Sequence, residues 1–168
     1  MKYMNKYIKY LVFGLIYLII IFLFAGMFIL TTAKADIIKP NSEIEPNQVV
    51  KIQLNSLMNN DEPNLNNGIK QTWEFAHPSN KKYTGPLSKF ITLLKGQNYK
   101  MLINHLDNEI VEVFKTTNKY GFEVTILSND KNYYKFQWVV EKFYDEGPLK
   151  DCWLTISVSN PISLGFST

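Results

Sequence analysis

The chain has 168 residues, 46% of them apolar and 14% aromatic, with a formal charge of +3 and no arginine. That charge is unevenly placed: four lysines and no acid precede residue 36, and from Asp36 onward fourteen lysines stand against fifteen acids, a balance of −1. The part beyond residue 36 thus has no basic field to draw in a polyanion, which argues against nucleic acid as a partner, and no guanidinium fork for bidentate recognition of phosphate or carboxylate.

Residues Leu11 to Leu30 are twenty consecutive uncharged, mostly aliphatic or aromatic residues. As a helix they span about 30 Å, the thickness of a hydrocarbon core. Lys2, Lys6 and Lys9 precede them, so the N-terminus is expected to stay in the cytoplasm and the rest to cross. Ala33-Lys34-Ala35 has the small-x-small form of a signal-peptidase site, whereas twenty apolar residues exceed the core of an ordinary signal peptide. Residues 1–35 therefore read as a signal anchor that contacts the membrane through 11–30, or as a signal peptide cleaved after Ala35. The protein is expected to be membrane-anchored and facing the non-cytoplasmic side in the first case, and periplasmic or secreted in the second.

Residues 36–46, with Pro40, Asn41, Ser42 and Pro46, read as a tether, and 47–168 as one α+β domain. Pro46 opens a first helix with Val50, Leu54, Leu57 and Met58 on one face, closed by Asn59-Asn60-Asp61. Ile69, Trp73 and Ala76 are spaced for a short second helix ending before Pro78, and Ser79–Gly85 reads as irregular. Pro86 starts a third helix with Leu87, Phe90, Ile91 and Leu94 on one face and Gly96 past its end.

After Gly96 the apolar period changes to two. Strands are expected over Glu109–Thr116, Tyr120–Leu127, Tyr134–Tyr144 and Cys152–Val158, with Phe122, Val124 and Ile126, and then Tyr134, Phe136, Trp138 and Val140, on single faces. The connections are short, which favours antiparallel hairpins over crossovers. Helices first and a meander second predict about three helices packed on a curved four-stranded antiparallel sheet, a cone of the cystatin or nuclear-transport-factor type. Cys152, the one cysteine, cannot form an internal disulfide and reads as a small buried hydrophobe on the last strand.

Several stretches carry a family resemblance: Val49-Val50-Lys51-Ile52-Gln53-Leu54-Asn55-Ser56-Leu57, Asn60-Asp61, Gly68-Ile69, Phe75-Ala76-His77-Pro78-Ser79-Asn80 and Thr84-Gly85-Pro86-Leu87-Ser88-Lys89-Phe90. Over about residues 47–158 the chain resembles an uncharacterised family, the domain of unknown function numbered 4864, of bacteria and plastid-targeted plant proteins. His77 departs from the usual serine, and Trp153-Leu154-Thr155-Ile156-Ser157-Val158 lacks the Asp-Gly that relatives often place before the valine. The resemblance implies a helix-on-sheet cone and no particular activity.

No metal-ligand spacing, Gly-x-Ser-x-Gly elbow, phosphate-cradling loop or dinucleotide fingerprint is present, so no cofactor, metal or catalytic residue is assigned. His77 reads as a loop residue, and His105 beside Asp107 as a surface pair. The remaining signal is aromatic. Trp73, Phe75, Tyr99, Tyr134 and Trp138, together with Phe136 and Trp153, lie on elements that converge inside a cone, where they either pack the core or line a ligand pocket. Glu112, an acid between Ile110 and Phe114, is the candidate acid of such a pocket, with Glu74 as the lesser one. Two functions follow: a non-catalytic binding or assembly module, with a homodimer through the sheet as one form, or a small-molecule pocket protein, isomerase- or hydratase-like, using an aromatic cavity and one buried acid.

Overall fold

A computed structural model of the chain describes residues 7, 8, 10–18 and 36–166. The chain divides after Lys34 into two units, of which Ala35–Thr168 is the larger. In the first unit residues 7, 8 and 10–18 are helical. Part of the expected span Leu11–Leu30 and the Ala33-Lys34-Ala35 site lie outside the described residues, among which no helix is long and apolar enough to cross a membrane.

The second unit is α+β, as the order of sequence periods predicts. Helix α1 (Pro46–Met58) begins on proline at its first turn, with Gln48 Oε1 accepting from the Glu45 amide at 2.9 Å. It buries Val49, Val50, Leu54 and Leu57, and with them a polar side chain, Gln53. Helix α2 (Asn67–Glu74) follows a polar loop and lies so close to α1 that Gly68 packs on the Ser56 carbonyl.

The expected second helix was too long by two residues: α2 stops at Glu74, and Ala76 joins the sheet instead, in a parallel bridge to Thr155. The irregular stretch Ser79–Gly85 is also corrected. Pro78–Thr84 is helix α3, with His77 as its N-cap and Gly85 at φ +83° after its end. None of its residues is buried, so it carries no apolar stripe by which a period could reveal it. Helix α4 (Leu87–Lys95) buries Phe90 and Leu94 as expected, and a 3-10 turn, Lys100–Leu102, leads into the sheet.

Strands β1 (Asp107–Lys115), β2 (Lys119–Leu127), β3 (Asn132–Lys142) and β4 (Trp153–Val158) pair antiparallel in the order β1-β2-β3-β4. A fifth strand, β5 (Ile162–Phe166), adds to the four expected: it pairs with Asn132–Lys135 of β3, while β4 pairs with Trp138–Lys142. Bulges at Val113 in β1 and at Ile156 in β4, each left out of the pairing register, bend the strands. The core forms between one sheet face, carrying Phe122, Val124, Ile126, Phe136, Trp138 and Val140, and helices α1, α2 and α4.

The stretch read as a tether is fastened to this unit. The Gln71 side-chain amide bonds both backbone groups of Ile38, accepting from its amide at 2.7 Å and donating to its carbonyl at 2.8 Å. Lys39 pairs with Glu74 at 2.9 Å, and Ile44 packs on the core.

Candidate functional site

Gln53 is the organising residue of the interior. Helix geometry places it on the same stripe as Val49 and Leu57, four residues away on either side, so its amide is forced into the core at 1% exposure. A buried amide must be satisfied. Its Oε1 accepts from Thr155 Oγ1 at 2.6 Å and from Trp138 Nε1 at 3.2 Å, and its Nε2 donates to the Thr72 carbonyl at 3.1 Å. That carbonyl belongs to the last turn of α2, where no helical donor remains for it. Trp138 Nε1 also reaches Thr155 Oγ1 at 3.1 Å. One side chain thus ties α1, α2, β3 and β4 together.

This network floors a cavity of about 70 Å³. The buried lining includes Gln53, Thr72, Ala76, Phe90, Leu94 and Trp138; Asn80, Thr84, Leu93, Tyr99 and Val158, all partly exposed, form its mouth. Among the described residues that line it, Tyr99 is the one ionisable group. Its hydroxyl donates to the Val158 carbonyl at 3.3 Å, and burial, reinforced by Tyr83, pushes its pKa up.

Of the pocket residues proposed from sequence, Tyr99 and Trp138 line this cavity and the others do not. Phe75 is fully buried core. Trp73 is half-buried outside it, tilted against Phe90 at 5.1 Å between centroids and with Lys81 Nζ 5.3 Å from its ring. Tyr134 donates its hydroxyl to Asp130 Oδ2 at 2.9 Å, away from the cavity. Glu112 is exposed on β1, since the bulge that follows it lies on an edge strand beyond the helical cover. Glu74 pairs with Lys39, which leaves the cavity without a carboxylate. Phe136 is core, and Trp153 stacks edge-on against Tyr120.

Sequence reasoning missed Gln53, Thr72, Asn80 and Thr155. For Gln53 a signal existed, a polar residue in phase with an apolar helical stripe. Thr155 carried none: alternation sets it opposite Leu154 and Ile156, and only the β4 bulge at Ile156 beside it turns it toward Val140 and the core.

The two histidines are structural. His77 Nδ1 accepts from the Ser79 amide at 3.2 Å and meets Ser79 Oγ at 2.6 Å, and burial lowers its pKa against the opposing pull of Glu141 and Asp145. His105, expected beside Asp107 at the surface, is instead 2% exposed and bonded to Asn108. Its Nδ1 donates to the Leu102 carbonyl at 2.7 Å and its Nε2 accepts from Asn108 Nδ2 at 3.0 Å, which fixes the neutral ring. Burial lowers its pKa, outweighing the Leu102 carbonyl and Asp107. Cys152 is buried as expected, and that burial pushes its thiol pKa up, away from nucleophilic use. Among the described residues no group of three or more His, Cys, Asp or Glu is placed to hold a metal ion.

The histidines predict a pH response. A pKa lowered by folding from the ordinary 6.5 means the unfolded chain takes up the proton first. Stability is then full above about pH 6.5 and falls as the pH drops below it toward the folded pKa. Urea midpoints are expected to be lower at about pH 5.5 than at about pH 7.5, and His105→Gln is expected to flatten part of that slope. A pH-independent midpoint over that window would contradict a buried neutral His105.

Neither a protein-family model, nor a curated protein, nor a solved structure matches this chain.

Proposed function

We propose that the chain is a non-catalytic binding or assembly module, exported by residues 1–35 and working outside the cytoplasm through the outer face of its sheet. The observation that carries this reading is the uncovered face itself. Val111, Phe114 and Ile162 share it with the β2 and β3 residues opposite them, and they are 47%, 45% and 55% exposed. Between them two cross-strand ion pairs, Lys135–Glu123 at 2.8 Å and Lys119–Glu141 at 3.4 Å, cancel charge. A face that is apolar at its flanks and charge-balanced at its centre suits a second copy of itself, because neither copy presents a field that repels the other.

The export half of the proposal rests on the twenty-residue apolar run behind three lysines. The cystatin or nuclear-transport-factor type of cone, and the resemblance to the family of unknown function numbered 4864, belong to the same reading and rest on element order and the stretches quoted above.

Sedimentation of the full chain in detergent tests the assembly. The expected result is a dimer that the double substitution Val111→Lys, Ile162→Lys converts to a folded monomer with unchanged far-UV circular dichroism, because both sites are exposed. A chain that is monomeric at every concentration and brings no partner through purification sinks the proposal.

The second reading, a small-molecule pocket protein, is favoured by the cavity over the Gln53 network. Its isomerase- or hydratase-like form lacks support there, since no carboxylate lines the space.

A further inference from the structure

We propose that the cavity between α3, α4 and β4 is a binding site for a small neutral organic molecule, an apolar body of about four to six non-hydrogen atoms bearing one hydroxyl or carbonyl oxygen. This rests on the pocket reading of the domain and narrows it.

Size sets the first limit. About 70 Å³ is far below the several hundred Å³ of sites for drug-sized ligands or nucleotides, yet several times what one water requires. Charge sets the second. The lining holds no lysine, histidine or carboxylate, so an ionised ligand would leave water without a counter-charge, which is costly. Hydrogen bonding sets the third. Trp138, Thr155 and Gln53 Oε1 satisfy one another, but Gln53 Nε2 carries two hydrogens and only one is bonded, to the Thr72 carbonyl. The other is left for a ligand oxygen, at the floor of a space that is mainly apolar, with Asn80, Thr84 and Tyr99 at its mouth.

The mouth is built to open. Asn80 and Thr84 reach it from α3, a helix of seven residues with none buried, bracketed by Pro78 and by Gly85 in a left-handed conformation. Asn80 Nδ2 bonds α3 to the Thr155 carbonyl at 3.3 Å, while the amide of its N-cap, His77, donates to the same carbonyl at 2.8 Å and Lys81 Nζ donates to the Glu74 carbonyl at 3.3 Å. Entry past the Asn80 side chain breaks only the first of these bonds and leaves the core intact.

The test uses the full chain with nitrogen-labelled indoles, titrated with isobutanol and with two charged analogues of the same shape, isobutyrate and isobutylamine. Trp138 reports from the cavity and Trp153 serves as the distant control. The expected result is a saturable shift of the Trp138 indole with isobutanol, at least tenfold weaker with either analogue, and no shift of Trp153. Thr84→Leu at the mouth is expected to abolish it, and Val158→Phe, from the opposite rim, gives the same readout if the first variant does not fold. Equal binding of a charged analogue overturns the ligand class and leaves the pocket reading standing. If no probe shifts Trp138, the pocket reading falls and the ligand class with it.

Discussion

Trp138→Ala is expected to lower the unfolding free energy by about 4 kcal/mol, the middle of the range for aromatic truncation in a core. The side chain is 1% exposed, and its removal enlarges a space already beside it, so neighbouring groups have little reason to close over the gap. It also donates to both Gln53 Oε1 and Thr155 Oγ1. Trp138→Phe separates the two contributions: it keeps most of the ring and removes the indole donor, while Gln53 Oε1 and Thr155 Oγ1 retain each other at 2.6 Å. That change is expected to cost about 1–2 kcal/mol. Gln53→Leu, close in volume, strips the Thr72 carbonyl of its donor and is expected to cost about 2–3 kcal/mol. Because the residues share one network, the two substitutions together should fall short of their sum by at least about 0.5 kcal/mol in urea denaturation. Strict additivity would show that the Gln53–Trp138 bond contributes nothing.

Gly68→Ala is expected to destabilise by about 3 kcal/mol or more, for the opposite reason, overpacking. A Cβ at this position runs into the Ser56 carbonyl and lies 2.9 Å from Asn60 Cα. Both obstacles are backbone, so relief requires α1 and the start of α2 to separate. Separation also stretches the Gly68 amide bond to the Asn60 carbonyl, 2.8 Å, and the Ile69 amide bond to Asn60 Oδ1, 3.1 Å. Gly121 offers a contrast. A Cβ there meets the ring of Phe114, a half-exposed side chain that can swing aside, so Gly121→Ala is expected to cost less than about 1 kcal/mol. A Gly68→Ala variant with a wild-type urea midpoint would mean that the two helices are not in close contact.

The parts of the fold that read clearly from the sequence are those in which burial and period coincide. Phe122, Val124 and Ile126 alternate because one face of β2 is packed, and Leu54 and Leu57 share a stripe with Val50 because one face of α1 is. Where an element buries nothing, as in α3, or lies at a sheet margin, as in β5 with Ile162, Leu164 and Phe166 exposed, no such pattern is imposed and the segment passes for loop. The site was less legible. Aromatic residues were weighted over amides, yet Phe75 and Phe136 are core filling, whereas Gln53 fixes the floor. Glu112 looked inward because strict alternation puts it beside Ile110, and it is the end of the helical cover, not the strand period, that leaves it in solvent. A bulge at the next residue of its own strand, Ile156, decides that Thr155 joins the network, and bulges leave no mark that one sequence reveals.

Native mass spectrometry of the full chain, released gently from the membranes of cells that make it, tests the proposed role most directly. A binding module working through its sheet predicts twice the subunit mass, or one subunit with a bound partner protein, and the same measurement shows whether residues 1–35 are retained. A bare single subunit found in the soluble cytoplasmic fraction would contradict both the assembly and the location.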